Sequence, residues 1–312
     1  MTTIIAPVES HEDGAFQPNG TGLAPAPQRP ARSFGYVPAL PDIRDYTIEH
    51  PDVAKQVGAL RVADADAPAS VDLRRHFSPV EDQQTIGSCT ANAGVGIVEY
   101  YQRRAFGKHL DGSRLFVYKA TRNLLGWQGD TGAHMRTTMG ALCMFGVAPE
   151  QHWPYAIARY DVEPPAFVYA LAQAYQAETF YRLDPVGTQP AALLTAIKQH
   201  LAKGLPPMFG FTVYESYRQA QGDGRIPFPA RTEKVVGGHA VVAVGYDDGA
   251  VIRHARTGVT TTGAVRIRNS WGSDWGEAGY GWLPYEYMRQ RLAMDWWVLT
   301  KAEWLDPDVF AA

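Results

Sequence analysis

The sequence predicts an α+β protein of two lobes with a cleft between them. Three observations carry this. Apolar residues recur at helical steps through much of residues 90–202. After residue 205 the pattern changes to short runs rich in β-branched and aromatic residues, and Gly and Asp-Asp-Gly turns bound those runs. The 312 residues suffice for one large domain or two modest lobes with extra terminal segments.

Taken in order, residues 1–32 carry Pro7, Pro18, Pro25, Pro27 and Pro30 among small and polar residues, too little apolar pattern to offset ordering entropy. They are expected to be a disordered segment. From Ser33 the chain spends Phe34, Tyr36, Val37, Leu40, Ile43 and Tyr46 between prolines, which predicts an extended, adhesive arm over residues 33–66. Its later part, from residue 51 on to residue 70, is Ala/Asp-rich and reads as a connector. The compact domain is expected over 67–305, its ordered core beginning near Val71, with a tail at 306–312.

Within the domain, Ala93, Ile97, Tyr100 and Tyr101 predict a helix from Thr90 to about Arg104, with Gly94 and Gly96 allowing close packing. A second helix is expected over Met135–Phe145, stopped by Gly146. A third is expected over Pro190–Ala202, with Leu194, Ile197 and Leu201 on one face and Gly204 and Pro206 as stop signals. Strands are expected at Pro207–Val213, Ala240–Tyr246 and Ala264–Arg268.

Composition narrows the function classes. Apolar residues make up 46 % and charged residues 20 %, and the formal net charge is −3, so no basic surplus argues for nucleic acid. No apolar run is long enough to span a bilayer, and no membrane partner is expected. The opening MTTIIAPVESHEDG lacks the basic and apolar regions of a standard secretory signal, leaving a cytoplasmic location and export by a specialised route both open. The two cysteines, Cys89 and Cys143, show no CxxC spacing, and no HExxH motif occurs, so neither metal nor cofactor is expected.

The chemistry concentrates around DQQTIGSCTANA, residues 82–93. Cys89 opens a predicted helix, where unsatisfied amides and the helix dipole favour a thiolate. His239 stands at the mouth of a strand in GGHAVVAVGY, and Asn269 ends another in RIRNSWGSDWG. A nucleophile, a base and a group that orients the base are what acyl transfer requires. Gln83, six residues before Cys89, is placed to offer its amide to a developing oxyanion beside the Cys89 backbone N–H. Cys143, within an apolar helix, reads as a core residue.

These stretches together resemble the papain family of cysteine peptidases, over roughly Val71 to Tyr287. Val71-Asp72-Leu73-Arg74 resembles the family's mature start and Pro79–Gln83 the run into the active site. Gly87-Ser88-Cys89 is similar to its nucleophile motif, Gly238-His239-Ala240 to its base motif, and Asn269-Ser270-Trp271 to its orienting turn with a shielding indole. The resemblance implies a helical lobe and a β-barrel-like lobe with the active-site cleft between them, and peptides or proteins as substrates. It also implies substrate contacts from Gly132, Ala133, Met135, Phe211, Gly238 and Trp271, the hydrophobic pocket involving Met135 and Phe211.

The chain departs from the plant and lysosomal pattern in several places. Ile86 replaces a cysteine, and Thr90 an aromatic residue. Ala133 replaces the second glycine of a substrate-holding pair, and Gly238 an Asp or Asn. The arm resembles the short N-terminal segment of some bacterial members, and its expected place is the cleft, as an inhibitory segment. An acyltransferase using the same triad and a non-catalytic peptide-binding scaffold are the competing functions.

Overall fold

The structure, a computed structural model, describes residues 33–58, 67–301 and 303. The expected disordered segment 1–32 and the tail 306–312 lie outside the described residues, as do residues 59–66.

The first described part of the expected connector forms a helix instead, α1 (Pro51–Gly58). Proline starts it, Asp52 sits in its first turn, and Val53 and Val57, four apart, are buried on the body. Strand β1 (Ser70–Asp72) then leads to α2 (Cys89–Phe106), which begins one residue before its predicted start and ends at Gly107 in the left-handed conformation. Every residue of α2 from Cys89 to Gln102 is buried, so this helix is the axis of its lobe.

Helix α3 (Arg114–Leu125) was not predicted, because Arg114, Lys119 and Arg122 interrupt its apolar pattern. All three are buried and paired: Arg114 with Glu81 at 2.5 Å, Arg122 with Asp161 at 2.7 Å, and Lys119 with Asp161 at 3.6 Å. Ser113 caps α3, its hydroxyl accepting from Phe116 N at 3.1 Å. Helix α4 (Met135–Met144) falls where expected, followed by α5 (Ala166–Ala172). Helix α6 (Pro190–Ala202) matches its predicted bounds, with proline in the first turn. Cys143 on α4 is half-buried against the core, and both thiols are free.

The second lobe is one antiparallel sheet of seven strands. In chain order these are β1, β2 (Thr179–Arg182), β3 (Met208–Tyr214), β4 (Val235–Arg253), β5 (Thr260–Arg268), β6 (Tyr280–Pro284) and β7 (Ala293–Thr300). A short α7 (Glu286–Arg289) precedes the last. Strands lie side by side as β2-β7-β3-β4-β5-β6, with β1 also on β4. Phe211 pairs with His239 and Val242 with Arg268, which brings the base and the end of β5 to one level.

A polar cluster joins the lobes. Glu99 on α2 accepts from Ser78 Oγ at 2.5 Å and from Gly112 N at 3.0 Å. Arg268, next to Asn269, donates to the same Ser78 Oγ at 3.1 Å and to Pro79 O at 2.7 Å. Burial raises the Glu99 carboxyl and the Arg268 charge lowers it, the burial being the larger effect. Glu99→Ala strands both Ser78 and Arg268. Its expected cost is about 3–5 kcal/mol, read as a lower urea midpoint with unchanged slope. A loss within 0.5 kcal/mol would show that the cluster does not hold the lobes.

Candidate active site

Cys89 occupies the first turn of α2 and is fully buried. The backbone N–H groups of Ala240, Gly35, Thr90 and Cys89 itself favour its thiolate, so the helix start, the strand that carries His239 and the arm all act on the thiol. Burial nevertheless pushes the thiol up to about 11, outweighing those amides. The helix terminus alone, which favours a thiolate, does not decide its state in this covered form.

Across the cleft, His239 Nε2 lies 2.7 Å from Asn269 Oδ1. Ser270 N also donates to that Oδ1, at 2.8 Å. A backbone N–H can only donate, so the atom it meets is the amide oxygen. His239 Nε2 is therefore the protonated nitrogen, and Nδ1 is the basic one. Trp271 stacks on the imidazole, with centroids 4.6 Å apart and planes 24° apart, and Trp275 meets Trp271 edge-on. This indole covers the His239–Asn269 pair from water.

The same reasoning orients Gln83, which is fully buried. Its Nε2 donates to Ile86 O at 2.9 Å and to Ser33 O of the arm at 3.1 Å, while Oε1 accepts from Ser270 Oγ at 2.6 Å. One acceptor of the amide is thus in its own loop, and the other is a carbonyl oxygen of the arm.

Among the residues expected to touch substrate, Gly132, Ala133 and Gly238 meet the arm. Ala133 N donates to Gly35 O at 2.8 Å, Val37 N to Ala133 O at 3.1 Å, and Tyr36 N to Gly238 O at 3.0 Å. Alanine at position 133 therefore leaves backbone pairing intact. The approach is so close that a Cβ on Gly35 would lie 1.8 Å from Gly87 O. One on Gly132, whose φ is 72°, would lie 2.2 Å from Gly35 O. Met135 is buried in the core cluster that includes Tyr36. Phe211 is not brought to the arm: its ring packs edge-to-face against His239 and Tyr287, at 5.9 and 6.0 Å. Alternation along β3 gives the arm Gly210 instead, whose Cβ position lies 2.2 Å from the Tyr36 ring.

Several supporting residues escaped sequence reading. Asp130 Oδ1 accepts from Gly87 N at 2.8 Å and from Tyr118 Oη at 2.6 Å, and Tyr118 Oη accepts from Gly132 N at 3.1 Å. That relay ties the nucleophile loop to the Gly132 loop. Tyr155 Oη donates to Gln83 O at 2.9 Å and meets Ser88 Oγ at 2.6 Å. No spacing links these residues to the motifs, since they meet only in three dimensions. Among the described residues, no group of three or more His, Cys, Asp or Glu could hold a metal ion.

A buried thiol at a helix start, with a buried His–Asn pair carried by β4 and the turn after β5, suits one class: the protein is a cysteine peptidase, a hydrolase. Comparison with known proteins makes this more particular. The family model for papain family cysteine proteases matches residues 67–293. An uncharacterised peptidase C1-like protein of Acanthamoeba polyphaga mimivirus is 32 % identical over 291 residues, 87 % of this chain and 88 % of its own. Cathepsin K of Gallus gallus is 28 % identical over 229 residues, 72 % of this chain and 61 % of its own. Among solved structures, xylellain, a cysteine protease from Xylella fastidiosa, matches with a TM-score of 0.69 at 34 % identity. That match covers 88 % of this chain and 98 % of that one. The chain belongs to the papain family of cysteine proteases, and its fold is the family's α+β two-lobe fold.

Proposed function

We propose that the protein cleaves peptide bonds through a Cys89 thioester, and that its arm, residues 33–66, holds the catalytic domain, residues 67–305, latent. The observation that carries the chemistry is the orientation of two buried amides. Ser270 N fixes Asn269 so that His239 Nδ1 is basic, and Ile86 O fixes Gln83 so that Nε2 also meets Ser33 O of the arm. His239 takes the Cys89 proton, Sγ attacks the carbonyl carbon, and the oxyanion is held by Gln83 Nε2 and Cys89 N. His239 then protonates the leaving amine. Water, deprotonated by His239, attacks the thioester to release the acid and restore the thiol.

Latency is supported by what the arm presents. Ser33 O takes the Gln83 donor, and the Gly35 N–H is among the backbone amides that act on the Cys89 thiol. An oxyanion donor already taken by the arm is not available to a substrate carbonyl.

The test is steady-state hydrolysis with product analysis. Free acid as the product, unchanged by added amine, supports hydrolysis; dominant amide formation with the amine would make the enzyme an acyltransferase. Gln83→Ala is expected to lower kcat by about 10²–10³ with little change in KM. A pure KM effect would move Gln83 from oxyanion support to substrate binding.

A further inference from the structure

Beside the nucleophile lies a pocket that the arm fills with one side chain. Tyr36 follows Gly35, which packs against Gly87 in the nucleophile loop, and is only 7 % exposed. Its ring rests on two glycines: a Cβ at Gly210 would come within 2.2 Å of Cζ, and one at Gly238 within 3.0 Å of Cδ1. Side chains at either position would fill the space, so the pocket is open to the depth of a full aromatic ring.

Asp295 forms the floor and is 1 % exposed. Its Oδ2 accepts from Tyr36 Oη at 2.7 Å and from Ala39 N at 3.2 Å. The rest of Asp295 is anchored by the body: Oδ1 accepts from Arg182 Nη2 at 2.7 Å, and its N donates to Asp184 Oδ2 at 2.8 Å. A φ of 56°, in the left-handed region that Asp tolerates, aims the carboxylate into the pocket. Burial and the neighbouring Asp295 and Asp184 charges hold the Tyr36 phenol protonated, as a donor. Both donors to Oδ2 belong to the arm. When the arm leaves, a buried carboxylate oxygen faces an open pocket and calls for a new donor.

We infer that Asp295 makes this pocket select a tyrosine side chain in the peptides the enzyme cleaves, accepting the substrate phenol as it accepts that of Tyr36. This rests on the reading of Cys89 as nucleophile. A phenol suits the floor better than a cation, because Arg182 already lies on the same carboxylate and on Asp184, 2.9 Å away. A second guanidinium or ammonium would meet that like charge. Phenylalanine fits the walls but leaves Oδ2 unpaired.

The test uses the full chain and peptide pairs that differ only by Tyr or Phe at the position seated here. The fraction of chains with an open cleft multiplies both rates equally, so the ratio of kcat/KM values is independent of the arm. That ratio is expected to favour tyrosine by about 10- to 100-fold, as for a hydrogen bond to a charged group. In Asp295→Asn, Arg182 holds the amide oxygen and the amide nitrogen faces the pocket, so the ratio is expected to fall to about threefold or less with the Phe peptide still cleaved. Tyr36→Phe is expected to raise turnover of every peptide by about 10- to 100-fold, because the arm loses the same bond. A ratio near one in the wild type, or faster cleavage of Arg or Lys peptides, overturns the inference. Affinities of the same peptides for full-length Cys89→Ser decide the pocket without turnover. Tyrosine preference there without any hydrolysis by the wild type would sink the peptidase mechanism and leave the pocket standing.

Discussion

Cys89→Ala is expected to leave a folded chain whose peptide turnover has fallen by about 10⁶, the order lost when a nucleophile of an acyl-transfer triad is removed. The thiol is completely buried, but trading sulfur for a hydrogen removes little volume, so the unfolding midpoint moves little. Cys143→Ala, half-buried on α4 and lining a cavity of about 390 Å³ that also borders Arg136 and Phe180, keeps full turnover. His239→Ala should lose about as much as Cys89→Ala, and the double variant no more, because nucleophile and base act as a unit. Asn269→Ala should lose distinctly less, since it removes the group that sets the imidazole tautomer rather than one that moves a proton. Peptide hydrolysis by the purified variants, with thermal melts alongside, reads all five. Retained turnover in folded Cys89→Ala would remove the thioester mechanism altogether.

Gly35→Ala is expected to switch the full chain on. The added methyl would lie 1.8 Å from Gly87 O, a backbone atom in the nucleophile loop that has no room to yield. Four backbone or amide hydrogen bonds seat the neighbouring residues: Gln83 to Ser33, Ala133 to Gly35, Tyr36 to Gly238 and Val37 to Ala133. Further along, Asp45 makes a paired bond with Arg136 at 2.6 and 2.5 Å. A net hold of about 3–4 kcal/mol would leave the cleft open in roughly one molecule in several hundred. Freeing it should therefore raise both kcat/KM and the rate of Cys89 labelling by a thiol-directed epoxide about 10²-fold. The pH dependence separates the two states. With the arm seated, the thiol is pushed up to about 11, so the neutral form dominates below that and labelling climbs as pH rises towards it. With the arm displaced, water reaches the sulfur, desolvation is relieved, and labelling at neutral pH becomes fast. Unchanged kinetics in Gly35→Ala together with a large fall in melting temperature would make the arm a structural strap instead.

Much of this was legible in the residues themselves. Helices α2, α4 and α6 and strands β3, β4 and β5 announce themselves because their apolar spacing matches the period of the backbone that carries them. Cys89 and Asn269 were nameable because each sits at an element boundary beside small residues, His239 because two glycines precede it, and Gln83 because it leads into the nucleophile motif. Helix α3 was not legible, since its buried Arg114, Lys119 and Arg122 look like a solvated face until their acidic partners, distant in the chain, are known. Phe211 and Gly210 differ by one position, and only the register of β3 against β4 and the arm says which of them the pocket receives.

What the sequence alone determined is the set of reacting groups and the elements that carry them, because local propensity and motif chemistry act over a few residues. The tertiary structure decided three other things: which nitrogen of His239 is basic, where the Gln83 amide points, and that the Tyr36 phenol reaches Asp295, 259 positions away. Each depends on a donor or acceptor supplied by a remote segment. A hydrogen bond constrains the position and direction of both partners in space, whereas a sequence records only their order along the chain.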